Sequence, residues 1–454
     1  MKSFINADRR RRFVMPAVFA VLPLLWEGMP FTLMGGAVSS GRYLVSALML
    51  AGTAGYFFLV ISGRKRADKW DLWSLALALL IILVSFISNT FLFEQSPSEW
   101  LFAMYGLTPI LLIFFARSLD VRPVEIIEGI ILAAVIACCL IIADQIVQLK
   151  FMNPYSRLAT TDIHLRRIVI LKIEIAAAAM ICCARFARSK STARLRWLAA
   201  ILPMLFCLFV VSESRVTIAA FILGLGGFTI FVLHGRERVQ IMILSVLVFF
   251  VSFPFVLKKY VDQFQRYGNY ITDDASISWR LKTVRYYYGH FTETGGLGFG
   301  VMSTGAARDN FLSFGTNRAG VSQGAYGYNF YMADTGITGA LLQFGYLGLV
   351  LVIVMSFMCA FALIARGRDR VVHSSYELGV LGFLVLFYLL NPWPMNFFTL
   401  EWSVLSGGLF WSLAALSSRE NAERIARATS RGHASLQPSG RLATTRAEQR
   451  GALH

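Results

Sequence analysis

Charged residues are scarce in this chain: only 15% of its 454 residues are charged, whereas 56% are hydrophobic. A soluble domain carries about a quarter charged residues, so the composition excludes that class. Apolar runs of roughly 20 residues, long enough to cross a bilayer, recur along the sequence. We therefore expect an all-α polytopic membrane protein.

Cysteine and histidine are also rare, with six of each. Every cysteine lies within an apolar segment, which argues against structural disulfides outside the membrane. No Cys-X-X-Cys pair, His/Cys spacing or Ser/His/Asp arrangement is visible, so the sequence predicts neither a metal nor a cofactor. A cleavable signal is not predicted either, because the apolar stretch after Arg9–Arg12 is too long for a signal peptide.

The net charge of +17 would suit a nucleic acid, but its distribution argues against that partner. Most Lys and Arg lie in alternate short links between spans and in the C-terminal segment, as is typical of cytoplasmic loops. We therefore expect both termini in the cytoplasm and no nucleic-acid partner. Hydropathy predicts about twelve spans, near residues 13–35, 42–63, 72–94, 100–117, 123–147, 168–186, 195–212, 216–234, 239–257, 335–364, 376–396 and 399–416.

Four parts of the chain follow from this pattern. Residues 1–257 hold about nine transmembrane helices, and residues 335–416 hold about three. Between them, residues 258–334 form one large periplasmic loop, rich in Arg, Tyr and Gly. Residues 417–454 have few apolar side chains and are predicted to be a disordered basic cytoplasmic tail.

Two segments on the predicted periplasmic side carry more cations than that side normally holds. The 148–167 link includes Arg166 and Arg167, and the large loop includes Arg318. Cations kept on the outer face indicate an anionic ligand there. The alternative is that these side chains reach the headgroups of the outer leaflet.

A first candidate site is the polar link Ser212–Arg215 between two apolar segments. Glu213 and Arg215 lie at the predicted outer membrane boundary. A guanidinium is always charged and can bind phosphate through two parallel hydrogen bonds. The alternative is a capped turn with a local Glu–Arg pair.

A second candidate begins at Asp273 and Asp274, which suit a helix N-terminus, with Ser276 as the predicted cap. The predicted helix carries Trp279, Arg280, Lys282 and Arg285. Aromatic rings beside cations suit sugar rings and pyrophosphate. The alternative is an amphipathic helix that lies in the membrane interface.

Two more segments of the large loop could take part in a site. Gly295–Gly300 follows no strand of a βαβ unit, which excludes a dinucleotide fingerprint, so it is either an anion-binding loop or a plain turn. Tyr328, Asn329 and Tyr331 precede Asp334 at the mouth of a span. An ionisable residue there is costly unless it is paired or functional. The alternative is a helix cap followed by a glycine packing seam.

Taken together, these segments resemble the O-antigen ligase/polymerase superfamily, which comprises Wzy-type polysaccharide polymerases and lipopolysaccharide O-antigen ligases. The resemblance rests on Ser212–Arg215 at a span edge, on Arg280 followed by Gly295–Gly300, and on Asn329–Gly339 entering the next span. In topology it extends over nearly the whole chain.

The resemblance implies a GT-C-like fold in the bacterial inner membrane and an undecaprenyl-diphosphate-linked glycan as substrate on the periplasmic face. It implies no metal, nucleotide sugar or other cofactor. A flippase, a chain-length regulator and membrane lipids are the candidate partners. Arg215 and Arg280 are expected to hold the diphosphate leaving group, with Glu213 and Asp334 as further catalytic candidates. The substrate-binding candidates are Arg166, Arg167, Trp279, Lys282, Arg285, Arg318, Tyr328, Asn329 and Tyr331.

One departure from the family separates two activities. Family ligases carry a His before the Asn of the loop-to-span motif, where this chain has Tyr328. This favours a polymerase of O-antigen or exopolysaccharide over a ligase that transfers the glycan to lipid A-core. A lipid-linked glycan flippase or transporter is a third hypothesis. Charged residues inside the spans are sparse, mainly Asp144 and Glu174, which argues against a carrier.

Overall fold

The computed structural model describes most of the predicted spans and little of the large loop. The described residues are 2–92, 94–157, 167–168, 170–211, 215–246, 287–289, 291–301, 337–369, 374–390 and 404–436. Within these ranges the protein is helical apart from one antiparallel pair of two-residue strands, in which Ser156 is opposite Ile168 and Arg157 is opposite Arg167. The expected all-α class is confirmed.

The helices alternate in direction, joined mostly by short links. Short 3₁₀ or π-helical turns extend or join several of them, at Ser88–Leu92, Met104–Leu111, Lys150–Tyr155 and Cys207–Val211. Residues 235–246 are also helical. In chain order the elements are α1 (Lys2–Trp26), α2 (Met29–Leu33), α3 (Val38–Ile61), α4 (Lys69–Ile87), α5 (Pro97–Ala103), α6 (Leu112–Ser118), α7 (Pro123–Val147), β1 (Ser156–Arg157), β2 (Arg167–Ile168), α8 (Lys172–Arg188), α9 (Ser191–Phe206), α10 (Arg215–Phe231), α11 (Ile337–Gly367), α12 (Ser375–Leu390) and α13 (Val404–Leu436).

Five of the described helical segments are long and apolar enough to span a membrane: Ser39–Ile61, Lys69–Leu92, Pro123–Val147, Thr192–Val211 and Thr338–Gly367. Shorter apolar helices lie between them, including Phe13–Trp26, Thr217–Phe231 and Ser375–Leu390. Many large apolar side chains on these helices are exposed, such as Phe58, Leu79 and Ile222. The lipid bilayer would cover such side chains, so the protein is a membrane-spanning one.

The first predicted span, 13–35, is two helices rather than one. α1 ends at Trp26, and Gly28, with a φ of 72°, interrupts the helix before the five-residue α2 begins. A glycine adopts this left-handed conformation without steric cost. The turn leaves Glu27 between the two helices.

The bundle has two chemically different ends. The loop end holds the last residues of α1, α7 and α12 and the first residues of α3, α8, α10 and α13. The arginine-rich end holds the opposite termini, where buried ion pairs join the helices. Arg117 is 1% exposed and bonds Asp68 at 2.6 Å and Asp71 at 2.5 Å. Arg185 likewise bonds Glu128 and Glu377.

α13 extends into the segment that the sequence predicts to be a disordered tail from Ser417. The helix continues to Leu436. Arg419 pairs with Glu423 one turn later at 3.1 Å, and Arg424 reaches Asp369 after α11 at 2.6 Å. These ion pairs help to explain why a polar segment continues the helix.

Candidate functional site

Nearly all of the predicted site residues lie outside the described residues. They are Glu213, Arg280, Asp334, Arg166, Trp279, Lys282, Arg285, Arg318, Tyr328, Asn329 and Tyr331. Two are placed by their backbone alone: Arg215 is the first residue of α10, and Arg167 lies in β2. Both positions are at the loop end. The described side chains around the start of α10 therefore define the candidate site.

A cluster of polar side chains, most of them buried, lies at this end between the Glu27 turn and the starts of α3, α8 and α13. The loop-end cluster comprises Glu27, Arg42, Lys172, Glu174 and Ser406, of which Lys172 is half-buried. Glu27 is 5% exposed, Arg42 and Glu174 are each 6% exposed, and Ser406 is 1% exposed. Burying charges at this density is costly unless they compensate one another. The fold therefore places these charged side chains where they can compensate one another.

Arg42 joins α3 to the end of α1. Its Nε donates a hydrogen bond to the Trp26 carbonyl oxygen at 3.3 Å. Its guanidinium also lies over the Trp26 ring, 5.7 Å from the ring centroid, in a cation–π contact. One positive charge is thus held beside the Glu27 turn.

Glu27 faces the start of α8 as well as Arg42. The Leu171 backbone donates a hydrogen bond to its carboxylate, and the charges of Arg42, Lys172 and Glu174 all act on it. Burial raises the pKa of Glu27 to about 7, because loss of water outweighs the opposing charge of Arg42. This carboxyl, in the turn outside the apolar helices, is therefore partly protonated near neutral pH.

Glu174 connects α8 to α13. The hydroxyl of Ser406, in the first turn of α13, donates a short hydrogen bond to Glu174 Oε1. A carboxylate in the first turn of α8 also compensates the positive end of that helix. Glu174 therefore ties the first turn of α8 to the first turn of α13.

The cluster extends to the helix that Arg215 opens. Thr217, two residues later, is 1% exposed and lies beside the Tyr388 phenol. Tyr388 is fully buried and is influenced by the charge of Glu174. α10, which begins at Arg215, therefore has its first turn at the same level of the bundle as the Glu174 carboxylate.

The charge of the cluster depends on its two carboxyl groups. With both ionised, Arg42 and Lys172 are balanced by Glu27 and Glu174. Protonation of either carboxyl group leaves a net positive charge in a site of low polarity, where a charge acts strongly. The cluster can therefore accept or release a proton and compensate an anion nearby.

The Gly295–Gly300 segment packs against α11 in the described structure. The amides of Phe299 and Gly300 donate to the carbonyl oxygens of Leu342 and Gln343 at 2.8 and 2.7 Å. These carbonyls are exposed to pairing because α11 is broken at Gly345, with φ 70° and ψ −173°. Such pairing satisfies backbone groups that a broken membrane helix would leave unbonded. These two amides are therefore not available to bind an anion.

Side chains fix this segment on both sides. Ser88 donates to the Gly298 carbonyl, and Ser85 accepts from the Val301 amide at 2.8 Å. Phe299 is fully buried, and Phe291 packs edge-on against Tyr346 with ring centroids 5.5 Å apart. The glycine segment thus anchors one part of the predicted large loop to the bundle.

Sequence reasoning missed most of the loop-end cluster. Glu174 was noted as a rare charge within a span, but Glu27, Arg42 and Lys172 were not selected. A usable signal was present, because Glu27 lies within the predicted 13–35 span and Arg42 begins the next one. Ionisable residues in apolar segments are costly and are often functional.

No family model and no curated protein matches this chain. Within the described ranges, no group of three or more His, Cys, Asp or Glu residues is arranged to hold a metal ion. The site is therefore interpreted from its own geometry and charge.

Proposed function

We propose that this chain is a membrane glycosyltransferase that polymerises undecaprenyl-diphosphate-linked oligosaccharide repeat units into O-antigen or exopolysaccharide. In this proposal it has about twelve spans in a GT-C-like arrangement in the bacterial inner membrane. The loop end faces the periplasm and both termini face the cytoplasm. The observation that carries the proposal is the loop-end cluster beside the first turn of α10.

The reaction needs negative charge to be stabilised as the diphosphate leaves. The acceptor hydroxyl attacks the anomeric carbon, the bond from that carbon to the diphosphate oxygen breaks, and undecaprenyl diphosphate departs. Arg215 and Arg280 are proposed to hold the diphosphate, because positioned guanidinium groups stabilise charge that develops in the transition state. Arg42 and Lys172 add positive charge at the same level of the bundle.

The attacking hydroxyl must also lose a proton. A carboxylate whose pKa is near the working pH is suited to accept it. Glu27, with a pKa raised to about 7 by burial, joins Glu213, Asp274 and Asp334 as a candidate for this role. Among these four, only Glu27 has a described side chain.

The placement of buried charge favours an enzyme over a transporter. Throughout the described part of the chain, buried ionisable side chains lie near helix ends, as with Arg42, Glu174, Arg117 and Glu377. A carrier that moves a charged head across the membrane is expected to have ionisable groups along the path. The middle of the described bundle offers no such series.

The test is in vitro polymerisation. Purified protein is incubated with an undecaprenyl-diphosphate-linked repeat unit, with and without lipid A-core, and the products are resolved on a gel. A ladder of longer lipid-linked glycans without lipid A-core supports the polymerase. Transfer that requires lipid A-core indicates a ligase, and no product in either condition contradicts both activities.

Variants test the proposed site in the same assay. Arg215→Ala and Arg280→Ala should each abolish the ladder without removing the protein from the membrane. Arg215→Lys should also impair it, since Lys lacks the two-pronged donor geometry. The control is Arg64→Ala, an exposed residue at the arginine-rich end. Full activity in both alanine variants would show that Arg215 and Arg280 are not part of the catalytic site.

A further inference from the structure

A polar cavity lies at the arginine-rich end of the bundle, opposite the loop-end cluster. Its volume is about 480 Å³ and its lining residues are Arg188, His234, Gly235, Glu237, Ser375 and Tyr376. An adjoining cavity of about 320 Å³ shares His234 and Tyr376 and adds Phe231, Val232, Gly367 and Arg368. Together the two cavities have the size of a small-molecule site.

The lining has more positive than negative groups. Arg188 and Arg368 are exposed at the cavities and Glu237 is the carboxylate among the lining residues. Glu237 Oε2 already accepts a hydrogen bond from the Tyr376 hydroxyl at 2.7 Å. The Arg188 guanidinium lies 5.0 Å above the Tyr376 ring. The tyrosine thus holds the acid and orients one of the two arginines.

His234 lines both cavities. Its Nδ1 lies 2.9 Å from the Val232 carbonyl oxygen, and a carbonyl only accepts, so this nitrogen carries a proton. The contact fixes the ring beside the two guanidinium groups, and the imidazolium form of a histidine donates from both ring nitrogens.

The second cavity continues from polar to apolar surface. Phe231 is 59% exposed at the end of α10 and lines this cavity together with Val232. A phosphate in the polar part would therefore have its attached hydrocarbon directed along an apolar surface of the bundle. Basic pockets between helices at a membrane face are suited to anionic lipid headgroups.

We propose that these adjoining cavities form a binding site for a phosphate-bearing anion, with Arg188, Arg368 and His234 as its ligands. The apolar side favours the phosphate of a lipid headgroup, and a free phosphate ester shares the same recognition chemistry. The site is separate from the proposed glycan site. Phosphate binding at this site requires no glycan substrate, so a negative polymerisation assay would not contradict the proposed phosphate site.

Native mass spectrometry of the purified full-length protein can test this site. The lipid arm compares short-chain phosphatidylglycerol with zwitterionic phosphatidylcholine, and the free arm uses glycerol 3-phosphate. Both lipids carry a phosphate, but the choline of phosphatidylcholine would place a positive charge beside the two arginines. We therefore expect the anionic lipid to bind about tenfold more tightly. Binding of glycerol 3-phosphate as well would support the phosphate site and show that the hydrocarbon is dispensable.

Variants then locate the binding. The double variant Arg188→Gln/Arg368→Gln should lose the preference for the anionic lipid. Arg236→Gln should keep it, because Arg236 is exposed near His234 but is not a lining residue. Two further variants control for a folding defect caused by loss of the contact between Arg188 and the Tyr376 ring. Arg368→Gln keeps that contact, and Arg188→Lys keeps the positive charge. Equal binding of both lipids with no glycerol 3-phosphate bound, or unchanged binding in the double variant, would overturn the proposal.

Discussion

Glu27 is a buried carboxyl group in a tight turn, where Arg42, Lys172 and the Leu171 amide favour its charge and the Glu174 carboxylate opposes it. Burial raises its pKa from an ordinary value of 4.5 to about 7. The folded state therefore prefers the protonated form over a range in which the unfolded chain is ionised. Its contribution to stability is fully present below pH 4.5 and is lost as the pH rises through 7.

This pH dependence can be measured with Glu27→Gln. The wild-type melting temperature should fall between pH 5 and pH 8, by an amount corresponding to on the order of 3 kcal/mol. Glutamine keeps an oxygen for the Leu171 amide but does not ionise, so the variant should lose most of this slope. The measurement is thermal unfolding in detergent across the pH range, with the exposed Glu420→Gln as control. Equal slopes in wild type and Glu27→Gln would contradict the assignment.

At the scale of elements, the break in α11 and the glycine segment form one structural unit. A Cβ at Gly345 would lie 2.3 Å from the Gly296 carbonyl oxygen, and one at Gly298 would lie 2.6 Å from the Gly345 amide nitrogen. Both glycines also have positive φ values, of 70° and 91°. The two backbones can approach this closely only because neither residue has a side chain.

Gly345→Ala should therefore destabilise the loop end. We expect a loss of about 2 kcal/mol or more, since the substitution adds a clash to a strained backbone conformation. Thermal unfolding and limited proteolysis near Gly298 are the measurements. Gly226→Ala is the matched control, because a Cβ at Gly226 in α10 meets nothing within 4 Å. A Gly345→Ala protein as stable as this control would show that the break is not required.

At the scale of the whole molecule, the five long apolar helices could be predicted because each is a long apolar run. The loop-end cluster could not, since Glu27 comes from a turn and Arg42, Glu174 and Ser406 come from three helices, and the adjacency of these elements is a tertiary property. The break in α11 at Gly345 could not be predicted from hydropathy either, because apolar residues continue on both sides of it. The extension of α13 depends partly on Asp369, which belongs to another part of the chain.

The orientation of the bundle is a prediction that cysteine labelling can test. Ser98 and Ser62 are exposed at the loop end and the arginine-rich end, respectively. In intact cells, a membrane-impermeant maleimide should label Ser98→Cys and leave Ser62→Cys unlabelled, because arginine-rich links stay in the cytoplasm. The wild type controls for its own six cysteines. The reverse labelling pattern would invert the proposed topology.

α13 also has a mechanical consequence. Its 33 residues make a rod of about 50 Å, whereas the hydrocarbon core is about 30 Å thick. Ser406 holds the Glu174 carboxylate near one end of this rod, and Arg424 holds Asp369 more than four turns further along. A displacement of the Leu436 end along the helix axis would therefore act on the hydrogen bond between Ser406 and Glu174 at the opposite end of the same helix.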